Sequence, residues 1–275
     1  MGRVNAPRFS AEDVAVALSV ESVDFLGAGA FGDTWRAGDT AVKIICVDGY
    51  PPERVGREVA GLLRVDSDHV VKLLAAESVT LGGQIRPALT FEYIDGGDLE
   101  ARFNDGVVPT PAQTRDLLLG LLRGLADLHA ADGTLHRDIK PPNIALRDGD
   151  WAQPVLLDLG LARSTTETTV TMYPGRLGTA PWMAPEQLRA QPARKASDLF
   201  GVGVTVRTLA SGEHPFYEPG ADYTYDEALA QVLAGPKPLP ETITGSVRTV
   251  LDLLVRPAEF ERGSARSNLR RLEQA

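Results

Sequence analysis

Residues 135 to 146 read LHRDIKPPNIAL, a run that places His136, Arg137, Asp138, Lys140 and Asn143 together between apolar residues. So much charge in so short a stretch asks for a charged partner, and two other stretches ask for an anion. In LGAGAFGDTW, residues 26 to 35, Gly27, Gly29 and Gly32 lie between apolar residues. Glycines so placed let backbone N–H groups approach a polyphosphate closely, because no Cβ intervenes and unusual φ is allowed. A glycine-rich hairpin turn with no ligand is the competing reading. A dinucleotide-binding turn fits less well, since such a turn opens directly onto a helix. In AVKII, residues 41 to 45, period-two alternation puts Ala41, Lys43 and Ile45 on one face and Val42, Ile44 and Cys46 on the other. An ammonium on an apolar face needs an anion unless it snorkels outward from an edge strand. Glu58 falls on a helical pattern and shares its inward face with Leu62, so a carboxylate also points inward. A buried lysine and a buried glutamate are each costly alone and tolerable as a pair.

These residues must be carried by two kinds of structure. From Val20 to about Tyr93 the apolar residues form short, partly alternating runs broken by glycine, proline and charge, the pattern of strands and hairpins. PERVGREVAGLLRV is the exception there, with Val55, Val59, Leu62 and Leu63 at helical spacing. After IDGGDLE the period becomes helical, as in TRDLLLGLLRGLADLHAADG, where Gly133 suits a helix stop. The expectation is an α+β chain of two unequal lobes, an antiparallel-sheet part over 20–94 with one helix and a mainly helical part over 95–272. The first twenty residues are expected to add a short helix.

Composition narrows the partners. The 275 residues, 43% of them hydrophobic, suffice to bury a sizeable core. A net charge of -9 and a pI near 5.0 oppose attraction to nucleic acid or anionic lipid. The sole cysteine, Cys46, allows no disulfide within the chain, which fits a reducing cytoplasm. No stretch has the apolar length of a signal peptide or a membrane span.

Taken in order, the motifs resemble those of eukaryotic-type (Hanks-type) serine/threonine protein kinase catalytic domains. GAGAFG resembles that family's glycine-rich loop, AVK its third strand, HRDIKPPN its catalytic loop, DLG at 158 to 160 its metal-binding motif, and APE at 184 to 186 the end of its activation segment. The likeness runs from about Val20 to Leu272. Alanine and arginine abound and the lysines number five, a composition that points to a GC-rich genome and a bacterial source.

The resemblance implies ATP and Mg²⁺ (or Mn²⁺) as cofactors and protein serine or threonine hydroxyls as acceptors. Asp138 would accept the hydroxyl proton, Lys140 would sit near the transferring phosphate, and Asn143 and Asp158 would hold the metal. Lys43, paired with Glu58, would contact the α- and β-phosphates. Leu26, Gly27, Gly29, Gly32, Thr34 and Ala41 would join it in nucleotide binding. Phe91 falls at the gatekeeper position, the backbone from Glu92 to Ile94 would bond the adenine edge, and Asp98 could take a ribose hydroxyl. Asp198 matches an aspartate that supports the catalytic loop, and Glu186 and Arg262 match an ion pair behind the activation segment. Lys140 and Thr179 resemble serine/threonine rather than tyrosine kinases. RSTTETTVTMYPGRLGT, residues 163 to 179, is rich in hydroxyls, and Thr169 and Thr171 are the expected autophosphorylation sites, with Arg137 as the cation to receive a phosphate. Thr34 replaces the usual valine and Leu159 the usual phenylalanine; neither change removes a charged group. His69, His129 and His214 read as packing or surface residues. The alternative is a nucleotide-binding scaffold or switch with negligible transfer; only turnover separates the two. Oligomeric state is not legible.

Overall fold

Alternating apolar residues pair the N-terminal runs into an antiparallel sheet of β1 (Asp24–Ala28), β2 (Gly32–Ala37), β3 (Thr40–Ile45), β4 (Leu73–Leu81) and β5 (Gln84–Glu92), in the order β1-β2-β3-β5-β4. The computed structural model describes residues 6–29, 31–47, 55–56, 59–60, 62–131, 134–158 and 180–274. Of the expected sites, Glu58, Leu159, Thr169, Thr171 and Thr179 lie outside these residues, as does Gly133.

The chain divides into two units, the first Met1–Val65 with Val71–Ile94, the second Asp66–Val70 with Asp95–Ala275. In the first unit one sheet face buries Trp35, Val42, Ile44, Leu81 and Ala88 against Val14 and Ala15 of helix α1 (Ala11–Leu18). Each large side chain taken out of water there contributes about 1.5–3 kcal/mol. Helix α1 starts because the Ser10 side chain accepts the Asp13 N–H at 3.1 Å, and stops where Ser19 turns left-handed at φ 57°. Residues 55, 56, 59, 60 and 62 are helical, with Leu63 N–H bonded to Val59 O at 3.0 Å.

The second unit holds α2 (Leu99–Asn104), α3 (Pro111–Ala130), a hairpin of β6 (Ile144–Leu146) and β7 (Pro154–Leu156), α4 (Pro185–Leu188), α5 (Lys195–Ser211), α6 (Tyr225–Ala234), α7 (Gly245–Leu254) and α8 (Ala265–Glu273). Helix α3 begins at a capping box of Thr110 and Gln113 with Pro111 in its first turn. It packs on α5 and α8. Helix α5 is buried from Ser197 to Ala210, as a helix at the centre of a core must be. Gly201 lets it approach the chain beside Asp138: a Cβ there would sit 3.0 Å from Ile139 Cβ. Residues 66–70 fall within the sheet part of the sequence yet pack in the second unit, where Leu156 N–H bonds His69 O at 2.9 Å and Val70 bridges Leu156.

Candidate functional site

In the second unit the charged run is an ordered loop held from beneath by α5. The Asp198 carboxylate is buried and accepts the His136 N–H at 3.0 Å and the Arg137 N–H at 2.7 Å. A third bond comes from His129 Nε2 on α3, at 2.9 Å. A buried carboxylate is tolerable only when so supplied with donors. His136 is itself buried, and its Nε2–H donates to Leu157 O at 2.8 Å, which ties the loop to the residue before Asp158. Arg137 and Asp158 both take positive φ, 67° and 51°, conformations that non-glycine residues adopt only where the surroundings enforce them.

Asp138, Lys140 and Asn143 are brought together. Lys140 Nζ lies 2.9 Å from Asp138 Oδ2, and Asn143 Nδ2 donates to the same oxygen at 3.0 Å and to the Asp138 carbonyl at 2.8 Å. Asp138 Oδ1 is buried and accepts no hydrogen bond from any described residue. Asn143 sits in a 3₁₀ turn, Pro141–Asn143, that leads into β6, and its carbonyl accepts the Leu157 N–H at 2.8 Å. The β6–β7 hairpin therefore sets the spacing between Asn143 and Asp158. Asp98 caps α2, its Oδ1 accepting the Ala101 N–H at 2.7 Å.

In the first unit the sheet register gathers the other expected residues on the face turned away from α1. Thr34 pairs with Lys43, Lys43 with Leu89, and Ala41 with Phe91. Lys43 is buried mid-strand, and Phe91 is buried next to the end of β5. Leu26 on β1 is exposed, and no described residue comes within 4 Å of where a Gly27 Cβ would be. Gly29 N–H closes the glycine-rich turn onto Gly32 O at 2.8 Å. Gly32 has a different reason to be glycine, because a Cβ there would fall 1.9 Å from Ile44 O of β3. The N–H groups of Glu92 and Tyr93 bond Lys72 O and Asp39 O, both at 3.1 Å.

Two of the histidines do more than fill space. His129 belongs to the polar network under the loop, through Asp198. His214 Nε2–H donates to Pro181 O at 3.0 Å while its Nδ1 accepts the N–H groups of Phe216 and Tyr217, each at 3.2 Å. Burial pushes its pKa down to about 4, with the Lys237 charge adding to the effect against the opposing bond to Pro181. The neutral ring is thus fixed in one tautomer, joining the chain next to Trp182 to the loop after α5. Nothing in the local sequence around His129 or His214 marks either role, because their partners are remote. His69 is buried, with Nδ1 2.9 Å from Pro154 O.

Glu186 and Arg262 form the expected pair. Both guanidinium Nη atoms meet the carboxylate, at 2.8 and 2.9 Å, and the remaining N–H groups reach the carbonyls of Ala196, Arg256 and Pro257. Burial raises the Glu186 pKa, but the bonds and charge of Arg262 and the Ser197 hydroxyl outweigh it, leaving the carboxyl below its usual range.

An antiparallel five-stranded unit with a glycine-rich turn and a buried strand lysine, and a mainly helical unit with an HRD-type loop, define the protein kinase-like fold. The chain belongs to the protein kinase family: the model of the protein kinase domain matches residues 20–271. It is 32% identical over 266 residues to the serine/threonine-protein kinase PkaA of Streptomyces coelicolor, covering 90% of this chain and 48% of that protein. It is 31% identical over 229 residues to a probable serine/threonine-protein kinase, PkwA of Thermomonospora curvata, covering 80% of this chain and 29% of that protein. The chain thus spans half or less of the length of these relatives. A crystal structure of Rad53 1-466 in complex with AMP-PNP matches with a TM-score of 0.70 at 23% identity, over 90% of this chain and 62% of that one, a likeness of fold.

Proposed function

We propose that this chain is an ATP-dependent serine/threonine protein kinase domain in which Asp138 is the base that accepts the acceptor hydroxyl's proton. The observation that carries the proposal is the state of that carboxylate. Lys140 and Asn143 hold Oδ2, whereas Oδ1 has no hydrogen-bond donor among the described residues, as an atom awaiting a proton would. Asp198 keeps the loop backbone in place, so that the base is oriented before substrate arrives. The Lys140 ammonium, next to Asp138, supplies positive charge where negative charge moves during transfer.

The residues suit a nucleotide-bound magnesium. Among the described residues no group of three His, Cys, Asp or Glu side chains could hold a metal alone. Mg²⁺ is commonly held by one or two protein oxygens together with phosphates. Asn143, its Nδ2 engaged by Asp138, offers Oδ1, and Asp158 offers a carboxylate two residues beyond β7. Bound there, the ion would neutralise and align the phosphate oxygens. Lys43 would meet the phosphates from its strand, paired with Glu58. Thr34, Ala41, Leu26 and Phe91 would line the base, while Gly27, Gly29 and Gly32 would cover the phosphates. Since the N–H groups of Glu92 and Tyr93 are already bonded, the Ile94 N–H is the donor of that stretch best suited to the adenine edge. Asp98 retains Oδ2 for a ribose hydroxyl while Oδ1 caps α2. We further propose a cytoplasmic domain that autophosphorylates on Thr169 or Thr171, with Arg137 receiving the phosphate and Thr179 contacting the acceptor site.

The test is transfer from labelled ATP with Mg²⁺ to a generic protein acceptor and to the chain itself. Asp138→Asn is expected to lower the rate by about 10²-fold or more. Mass spectrometry locates any phosphate. A variant as active as the parent would remove Asp138 from the proposed role.

A further inference from the structure

Arg8 lies before the stretch that matches the kinase family, yet it reaches the glycine-rich turn. Its backbone N–H donates to Asp33 Oδ2 at 2.7 Å, its Nη1 pairs with Asp33 Oδ1, and its Nη2 donates to Gly29 O at 2.8 Å. Asp33 follows Gly32 at the start of β2 and is fully buried. Register places Asp33 opposite Ile44, on the α1 face of the sheet, whereas Thr34 and Lys43 are opposite one another on the other face. The grip on the turn therefore comes from the sheet face opposite to that of Lys43.

The hand that grips is itself anchored. Phe9 packs against Gly82, where a Cβ would meet its ring at 2.7 Å, and the Arg86 guanidinium lies 5.3 Å from the ring centroid. Ser10 then caps α1, whose Val14 is wholly buried in the sheet core. Arg8 is thus held by an ordered helix and not by a loose tail, and so can transmit position. Three bonds then hold the turn among the described residues: Gly29 N–H to Gly32 O across the hairpin, Cys46 N–H to Phe31 O at 2.7 Å, and Arg8 to Gly29 O.

We infer that Arg8, through Asp33 and the Gly29 carbonyl, is a positioning residue that presets the glycine-rich turn for the nucleotide's phosphates, making the segment from Arg8 to Leu18 a working part of the nucleotide site. The inference rests on the proposed role of that turn in ATP binding. A preset turn loses less conformational freedom when ligand binds, so the clasp acts on affinity for the nucleotide. Asp33 provides the charge that holds the guanidinium, and the forked geometry of arginine lets one side chain serve carboxylate and carbonyl together.

The test measures Kd for Mg-ATP by direct titration, KM and kcat with a protein acceptor, and the melting temperature, all on the full chain. Arg8→Ala is expected to raise Kd and KM about tenfold, about 1.4 kcal/mol, with kcat changed less than about twofold. It also strands a buried carboxylate, so its melting temperature falls. Arg8→Ala combined with Asp33→Asn removes that charge, and melting is expected to recover while Kd stays high. Arg8→Lys keeps one charge but cannot fork, and Kd is expected between the two. Recovery of Kd together with melting in the double variant, or an unchanged Kd in every variant, would overturn the inference and leave the pair a purely structural ion pair. Asp138→Asn serves as the control that binds without transferring. A parent chain that binds no Mg-ATP would instead overturn the nucleotide-site reading, and the inference with it.

Discussion

Chemistry at the residue scale depends on which atoms of a side chain are already engaged. Asp138 has one oxygen held and one that is buried without a donor among the described residues, whereas the Asp198 carboxylate accepts from the backbone of the loop and bonds His129. Two carboxylates in one unit thereby differ in what they are fitted for, Asp138 for the base role proposed above and Asp198 as a brace for the loop. His214 shows the same principle with titration. Its folded pKa of about 4 lies below the ordinary value of 6.5, so between these values the unfolded chain binds a proton that the folded chain refuses. Titration of His214 therefore leaves stability independent of pH above about pH 6.5 and lowers it as pH drops towards 4, by about 3 kcal/mol in full. Urea denaturation of the parent and of His214→Gln at pH 7 and pH 4.5 checks this. The variant is expected to be the less stable at pH 7 and to lose clearly less on acidification; parallel losses would contradict the assignment.

At the scale of elements, the glycine-rich hairpin separates two reasons for glycine that one motif conceals. Gly32 is required by the close approach of β3, independently of any ligand. Among the described residues nothing lies within 4 Å of where a Gly27 Cβ would be, so no described neighbour requires glycine there. Gly32→Ala is expected to cost about 3 kcal/mol or more in stability, since a backbone carbonyl cannot swing aside as a side chain can. Gly27→Ala is expected to melt within about 2 °C of the parent, in the range of surface substitutions, yet to bind Mg-ATP more weakly. Thermal melts and nucleotide titrations of the two variants, run together, distinguish the roles.

On the scale of the whole molecule, long-range polar ties inside each unit join pieces far apart in sequence. Arg262 is fully buried, and its donors serve a carboxylate 76 residues away and three carbonyls. Arg262→Ala is expected to lose about 3–5 kcal/mol, because it leaves Glu186 charged and buried without its partner. Denaturant unfolding measures this. Glu186 has a depressed folded pKa, so the pair's contribution is present above about pH 4.5 and is lost as pH falls through the lower folded value. The difference between the parent and Arg262→Ala is expected to shrink below about pH 4.5, and a difference that persists in acid would speak against the pair.

Much of this was legible in the chain because its chemistry is local. His136, Asp138, Lys140 and Asn143 lie within eight residues, and the period-two pattern of AVKII already separates the faces of β3, with Val42 and Ile44 in the core and Lys43 opposite. The pairing of Glu186 with Arg262 and the place of Asp198 were readable only through likeness to a family, since no periodicity links residues so far apart. Three things only the tertiary structure decided. His129 turns its ring to Asp198, which lies 69 residues on. Residues 66–70 leave the sheet part of the sequence to pack beside β7. Arg8 meets Asp33 and Gly29 over gaps of 25 and 21 residues. Propensity and period report what a residue does with its near neighbours along the chain, but the partner of a buried charge is chosen by which elements pack together, and that choice belongs to the folded core.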